Sequence, residues 1–126
     1  MTFEPSSEFV FLDDFPAGQF GDARIVRVPH GLETKQQLLD TLARGLDLPD
    51  YFGWNWDALD ECLRDLSWIE HPRRIVLLHE GVPFPDGSDD RAIYLDLLKN
   101  AVSSWGPGAP HELIVVFPRE CQPDIE

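Results

Sequence analysis

Apolar positions along the chain switch between the spacing of strands and the spacing of helices. Four short apolar runs predict strands, at 8–12, 24–28, 73–79 and 112–117. Apolar residues recurring every three or four positions predict three helices, at 34–48, 55–66 and 88–104. Because strands separated by helices favour right-handed crossovers, we predict an α/β fold with a small three-stranded parallel sheet between helical layers, and an added N-terminal strand at 8–12.

Capping residues mark where the helices begin. Thr34 and Gln37 form a capping-box pattern before the first helix, which Pro49 ends. Asn55 is placed as the N-cap of the second helix, and Gly53 allows a tight turn before it. Ser88 or the next residue caps the third helix.

The second helix separates its apolar and acidic residues. At a helical step of about 100° per residue, Leu59, Cys62, Leu63 and Leu66 share one side. The opposite side is mostly acidic, and a solvated surface is its ordinary explanation. Aromatic residues crowd the entry to this helix, however, and aromatics beside charges are typical of the centre of a protein interface. The polar side of this helix consists of Asp57, Asp60, Glu61, Arg64 and Asp65. The flanking aromatics are Tyr51, Phe52, Trp54 and Trp56.

The charge of the chain narrows the possible partners. It carries 23 acidic against 10 basic side chains, a formal net charge of -13. This charge opposes binding to nucleic acid or to an anionic membrane and favours a basic protein partner. No apolar run approaches the about 18 residues of a membrane span, and the N-terminus lacks the basic start of a secretion signal. We therefore expect a cytoplasmic protein.

The residue types that support catalysis do not assemble at the spacing that catalysis needs. Cys62 falls on the apolar side of its helix, so a buried thiol is favoured over a nucleophile. The four histidines have no metal-ligand spacing, and residues 106–108 lack the lysine and helix of a phosphate loop. We therefore predict that the protein is not an enzyme and that it binds no metal and no cofactor. A small hydrolase assembled from Asp57, His79 and Glu80 remains an alternative, which activity screening with and without divalent metal would separate.

One segment carries a family resemblance. Residues 48–59 read L-P-D-Y-F-G-W-N-W-D-A-L, and Cys62 and Leu63 follow them. The underlying pattern P-x-Y-[YF]-G-x-N-x-D-A-L is long and resembles the central segment of the barstar family, intracellular inhibitors of a secreted ribonuclease. The element order fits that fold over residues 23–117. We therefore divide the chain into an N-terminal extension at 1–22, a barstar-like domain at 23–117 and a loose tail at 118–126.

The resemblance implies a function for the acidic helix. In that family the corresponding helix and the loop before it plug the active site of a basic ribonuclease, with carboxylates in place of RNA phosphates. It implies a monomer that binds a basic ribonuclease or nuclease toxin one to one, with Asp57 and Glu61 at the charged centre. The implied partner-binding residues are Tyr51, Gly53, Trp54, Asn55, Trp56, Asp57, Ala58, Asp60 and Glu61.

Three positions depart from the family pattern. Glu61 replaces the principal aspartate of the family, Asp60 replaces a tryptophan, and Asn100 aligns with an acid of the third helix. The target is therefore expected to differ from the family's familiar nuclease. A barstar-fold interaction module that docks another basic protein is the second hypothesis, and a neighbouring gene for a basic secreted nuclease would favour inhibition over it.

Overall fold

The computed structural model describes residues 9–14, 20–106 and 108–125, which form a four-stranded sheet and four α-helices. The strands are β1 (Val10–Leu12), β2 (Ala23–Val28), β3 (Arg74–His79) and β4 (Glu112–Pro118). The helices are α1 (Lys35–Leu46), α2 (Trp56–Asp65), α3 (Asp89–Ser104) and α4 (Gln122–Ile125), and a 3-10 turn, Arg119–Cys121, precedes α4.

The sheet is parallel throughout and has the strand order β1-β4-β3-β2. β3 lies between two neighbours, with Val76 paired to both Ile25 and Ile114. Five of its six residues are buried, which explains why its sequence is a continuous apolar run. The predicted parallel α/β fold is confirmed, and the added N-terminal strand is β1, paired with β4.

The three long helices pack on one face of the sheet, which differs from the predicted helical layers on both sides. Their buried residues form one cluster with Val26, Ile75 and Val115, which point to the same face. The connections from β2 to β3 and from β3 to β4 advance in the same direction across the sheet. Because both connections are right-handed, their helices lie on the same face of the sheet. The other face forms a second cluster around Val76, against which Phe20 packs.

α1 approaches β2 so closely that one helical position has no room for a side chain. A Cβ atom built on Gly45 would lie 2.4 Å from the Cγ1 atom of Val26. Real Cβ contacts are not that short, so the close contact between α1 and the sheet depends on the missing side chain.

The C-terminal residues were predicted to be a loose tail, but the described part of them is ordered against the domain. The Arg119 side chain donates hydrogen bonds to Asp13 Oδ1 at 2.9 Å and to the Phe11 carbonyl at 3.2 Å. Ile125 packs against the main core cluster. The apolar contact of Ile125 and the two hydrogen bonds of Arg119 help to hold the described part of the tail, and neither residue forms a periodic pattern that the sequence could reveal.

The Arg91 side chain anchors the irregular loop before α3. Arg91 donates hydrogen bonds to the carbonyls of Val82, Pro83 and Phe84, the shortest being 2.6 Å to Phe84. Phe84 is buried and has a left-handed backbone, with φ of 69°. The loop is irregular as predicted, yet it is anchored from the first turn of α3.

Candidate functional site

The entry of α2 is set by Asn55. Its backbone is extended, with φ of -140°, and its Oδ1 atom accepts a hydrogen bond of 2.8 Å from the Ala58 N–H. The Nδ2 group of the same side chain donates to the Gly53 carbonyl at 3.3 Å. The predicted N-cap is confirmed, and it ties the helix to the turn before it. Asp57 lies in the first turn, where the helix dipole favours a negative charge.

The tight turn before α2 is made by Trp54. The sequence pattern predicts Gly53 for this role, so that prediction is wrong. The φ of Trp54 is 55°, in the left-handed region, whereas Gly53 lies outside that region. The Trp54 ring packs on the buried Phe52 ring with centroids 5.1 Å apart, which holds this unusual backbone in place. The turn leaves Tyr51 75% exposed and Trp54 45% exposed.

α2 is held at both ends by aromatic side chains. The half-buried Trp56 ring packs edge-on against Phe84, with centroids 6.0 Å apart, and at a tilt of 32° against Tyr94, with centroids 6.2 Å apart. At the other end, the Trp105 indole N–H donates to the Leu63 carbonyl at 2.9 Å. The helix is thus a fixed platform, and Trp56 supports it from beneath. Its predicted contact with a partner stays a prediction.

The exposed side of α2 carries a row of three carboxylates. Asp57, Glu61 and Asp65 are exposed and spaced four residues apart, so they lie on one face of the helix; we call them the acidic row. Asp60 lies beside this row and forms a 2.7 Å ion pair with Arg64. Over residues 9–14, 20–106 and 108–125, no ion pair involves a member of the acidic row. The row therefore presents negative charge that no ion pair of the described residues neutralises, although the Asp65 Oδ2 atom accepts a hydrogen bond of 3.0 Å from the Ser67 hydroxyl.

A groove of ≈ 260 Å³ opens between α2 and the aromatic turn; we call it the Tyr51 groove. It brings together Tyr51, Ala58 and Glu61, three of the predicted site residues. Three other residues that line the groove were not among the predicted site residues. One of them, Asp65, could have been recognised, because it lies four residues after Glu61 and therefore on the same helix face. The complete lining is Tyr51, Phe52, Ala58, Glu61, Cys62 and Asp65.

The cysteine of the groove is a poor nucleophile. Burial raises the pKa of the Cys62 thiol, and the nearby carboxylates of Asp65 and Glu61 raise it further. Because the thiolate is the reactive form, this thiol stays protonated and inert near neutral pH. Cys62 therefore contributes apolar surface to the groove.

His79, which the hydrolase hypothesis requires, is fully buried in the core. Its Nδ1 lies 3.1 Å from the Val116 carbonyl and 3.2 Å from the Leu77 carbonyl, so Nδ1 carries the proton. Its Nε2 then accepts the Tyr94 O–H at 2.7 Å. Burial lowers the pKa of His79 to about 4. With no surface and both nitrogens occupied, His79 cannot reach a substrate.

Glu80, the third residue of the hydrolase hypothesis, already has hydrogen-bond partners. Its carboxylate accepts from Arg27 at 3.5 Å and from the backbone N–H of His30 at 3.4 Å.

No cluster of three or more metal-ligating side chains occurs in the described ranges. The same ranges contain no helix with both the length and the apolar character to cross a bilayer. The acidic row and the Tyr51 groove are thus the features of this surface that invite a functional explanation.

Comparison with protein families identifies the fold. The family model described as Barstar (barnase inhibitor) matches residues 25–118 of the 126-residue chain. The chain belongs to the barstar family. The match confirms the resemblance read from residues 48–59, and it spans the acidic row and the whole Tyr51 groove. β1 lies outside it, and the division into extension, domain and tail stays a prediction. A search among curated proteins finds no match.

Proposed function

We propose that this barstar-family protein inhibits a basic ribonuclease by filling its active-site cleft with α2 and the turn before it. The observation that supports this most directly is the acidic row. Its carboxylates are exposed and have no ion-pair partner in the described part of the chain. A protein that leaves such charge uncompensated on a fixed helix gains most from a cationic partner.

Phosphate-binding clefts and the acidic row have complementary chemistry. A ribonuclease holds its polynucleotide substrate with cationic side chains, and carboxylates bind the same side chains through short charge-assisted hydrogen bonds. Asp57 and Glu61 form the charged centre of the proposed interface. Because Trp56 and Trp105 fix α2 before binding, little conformational freedom is lost when the complex forms.

The aromatic turn supplies the apolar part of the proposed interface. Tyr51 and Trp54 are large, exposed and adjacent to the start of α2. Rings in this position exclude water around the central carboxylates, which strengthens their interaction with cations. Gly53, Asn55 and Ala58 are exposed or half-exposed at the same entry and complete the proposed contact surface.

Net charge supports the association step. With a formal charge of -13, the protein attracts a basic partner over distances beyond direct contact. The association rate should therefore fall as salt is added, because ions screen charges on the scale of about 10 Å at about 0.1 M ionic strength. Nucleic acid and anionic membranes are repelled by the same field.

The departures from the family pattern favour a target other than the family's familiar nuclease. Glu61 extends one methylene further than an aspartate, and Asp60 places a second acid, paired with Arg64, where the family has a tryptophan. Asn100 on α3 is exposed and uncharged. These differences also support the second candidate, a module that docks another basic protein through the same surface.

Inhibition is tested by titrating the purified protein into barnase-like ribonucleases and toxin nuclease domains while following RNA cleavage. We expect one-to-one inhibition of at least one of them. The double variant Asp57→Asn/Glu61→Gln should lose it. If no nuclease is inhibited at about 1 μM protein, well above the dissociation constants of stable inhibitor complexes, the docking module replaces this proposal.

A matched control separates local recognition from net charge. The double variant Glu70→Gln/Asp96→Asn removes the same two charges from exposed positions outside α2. It should keep full inhibition, apart from a modest loss of association rate at low salt. Equal loss in both double variants would mean that the acidic row has no specific role.

A further inference from the structure

The Tyr51 groove has an apolar floor and an acidic rim. Phe52 and Cys62 are buried and Ala58 is half-buried, so the floor presents ring, methyl and thiol surface. The two charged residues of the lining are Glu61 and Asp65, which stand one turn apart on α2. Both carboxylates lie close enough to the Cys62 thiol to raise its pKa, so they act on the same small volume.

The side chain that complements this groove is long, apolar along its stem and positive at its end. Arginine fits each part of that description. Its methylene stem can lie along the apolar floor, and its planar guanidinium can bind two carboxylates while its face lies against the exposed Tyr51 ring. A neutral or acidic side chain would leave the carboxylates of Glu61 and Asp65 without a counter-charge.

We propose that Asp65, together with Glu61, makes the Tyr51 groove a docking site for one arginine side chain of the protein partner. This inference rests on the proposed function for the identity of the partner, but it adds a residue that the family motif does not contain. Asp57 lies outside the groove lining, so the acidic row divides into two parts. Asp57 faces the partner at the start of α2, and the Glu61–Asp65 pair selects an arginine at the groove.

The groove can be tested without knowing the partner. N-acetyl-arginine amide is titrated into the full-length protein while amide NMR spectra are recorded, with N-acetyl-citrulline amide as a neutral probe of nearly the same shape. We expect arginine amide to shift the resonances of Phe52, Ala58 and Cys62 with a dissociation constant on the order of 10 mM, as expected for a single small contact. Citrulline amide should not shift them.

Substitution of the rim identifies the residue responsible. Asp65→Asn should weaken arginine amide binding about two- to fivefold, the range for loss of one exposed charge pair. The control Asp96→Asn removes the same charge from the exposed side of α3 and should leave binding unchanged. Shifts that are the same for both probes, or an Asp65→Asn variant that binds arginine amide as the parent does, would overturn the proposal.

The outcome is separable from that of the nuclease titration. If a nuclease is inhibited but arginine amide produces no charge-dependent shifts up to about 100 mM, the arginine site is refuted and the inhibitor proposal stands. If arginine amide binds as described and no nuclease is inhibited, the arginine site stands and the inhibitor proposal fails. Where a nuclease is inhibited, Asp65→Asn should raise the inhibition constant at least about tenfold, as loss of a buried interfacial contact does.

Discussion

The Arg64 Nη2 atom lies 2.7 Å from the Asp60 Oδ2 atom, one turn apart on α2. Arg64 is the one basic residue of this helix, and its charge is committed to the one acidic residue that stands outside the acidic row. The pair therefore sorts the four acids of α2 into one that is compensated within the helix and three that are not. The net charge does not reveal this difference between the acids. Because of it, we expect substitutions of the individual acids to weaken partner binding by unequal amounts.

Replacing single acids of α2 should reveal that sorting in the binding energy. Asp57→Ala and Glu61→Ala should each weaken binding to an inhibited nuclease by more than about 2 kcal/mol, as truncation of central interface residues does. Asp60→Ala should cost less, under about 1 kcal/mol, because Arg64 already neutralises this carboxylate and leaves little of its charge for a cationic partner. Inhibition constants measure the binding loss, and circular dichroism checks that each variant is folded. Equal losses at Asp57 and Asp60 would contradict the proposed centre.

Asn55→Ala should destabilise the protein by about 1 kcal/mol, because the Ala58 N–H loses its side-chain acceptor at the start of α2. Asn55→Asp keeps an acceptor at the same position and should retain most of the stability. Urea denaturation compares the three proteins. If all three proteins unfold at the same urea concentration, the cap contributes nothing and α2 is positioned by its aromatic contacts alone.

Local features of the structure were predictable from the sequence. The caps Thr34, Asn55 and Ser88 each act within three residues, so their side chains and the helix starts they create are recognisable without knowledge of the fold. The apolar side of α2 follows in the same way from helical spacing. Apolar spacing also predicted the order of elements, which fits the fold of the family that the pattern at residues 48–59 resembles, and the family match confirms that resemblance.

Features that depend on distant contacts were not predictable. Trp54 takes the left-handed turn because its ring packs on Phe52, an arrangement that glycine preference alone would assign to Gly53. Asp65 lines the Tyr51 groove because the turn carries Tyr51 back toward the middle of α2. The single helical face of the sheet follows from strand order, which no local pattern encodes.

Acid should destabilise the protein through His79. Burial lowers its pKa from the ordinary 6.5 to about 4, so the neutral ring is favoured in the folded state. The stabilising contribution is therefore complete above pH 6.5 and is lost as the pH falls toward 4, because only the unfolded chain takes up the proton in that window. Between pH 7 and pH 4.5 the loss from this residue should be about 2 kcal/mol.

The variant His79→Gln isolates that contribution from the titration of the carboxylates. Glutamine can still meet the Tyr94 hydroxyl but does not titrate, so the variant is less stable than the parent at pH 7 and the difference narrows as the pH falls. Free energies of unfolding at pH 7 and pH 4.5 give the comparison. A difference that is constant over this range would contradict a buried, neutral His79.

Gly45→Ala should destabilise the protein, although alanine is the better helix former. The substitution gains at most about 1 kcal/mol in helix propensity, but it forces a methyl group to within 2.4 Å of the Val26 Cγ1 atom, and overpacking of this kind costs about 1–3 kcal/mol. Urea denaturation should show a net loss of about 1 kcal/mol. In a Val26→Ala background both Cγ atoms are absent and only the Cβ atom of residue 26, 3.2 Å away, remains close, so the loss caused by Gly45→Ala should shrink. A stabilising effect of Gly45→Ala in the parent protein would mean that α1 and β2 do not pack as closely as described.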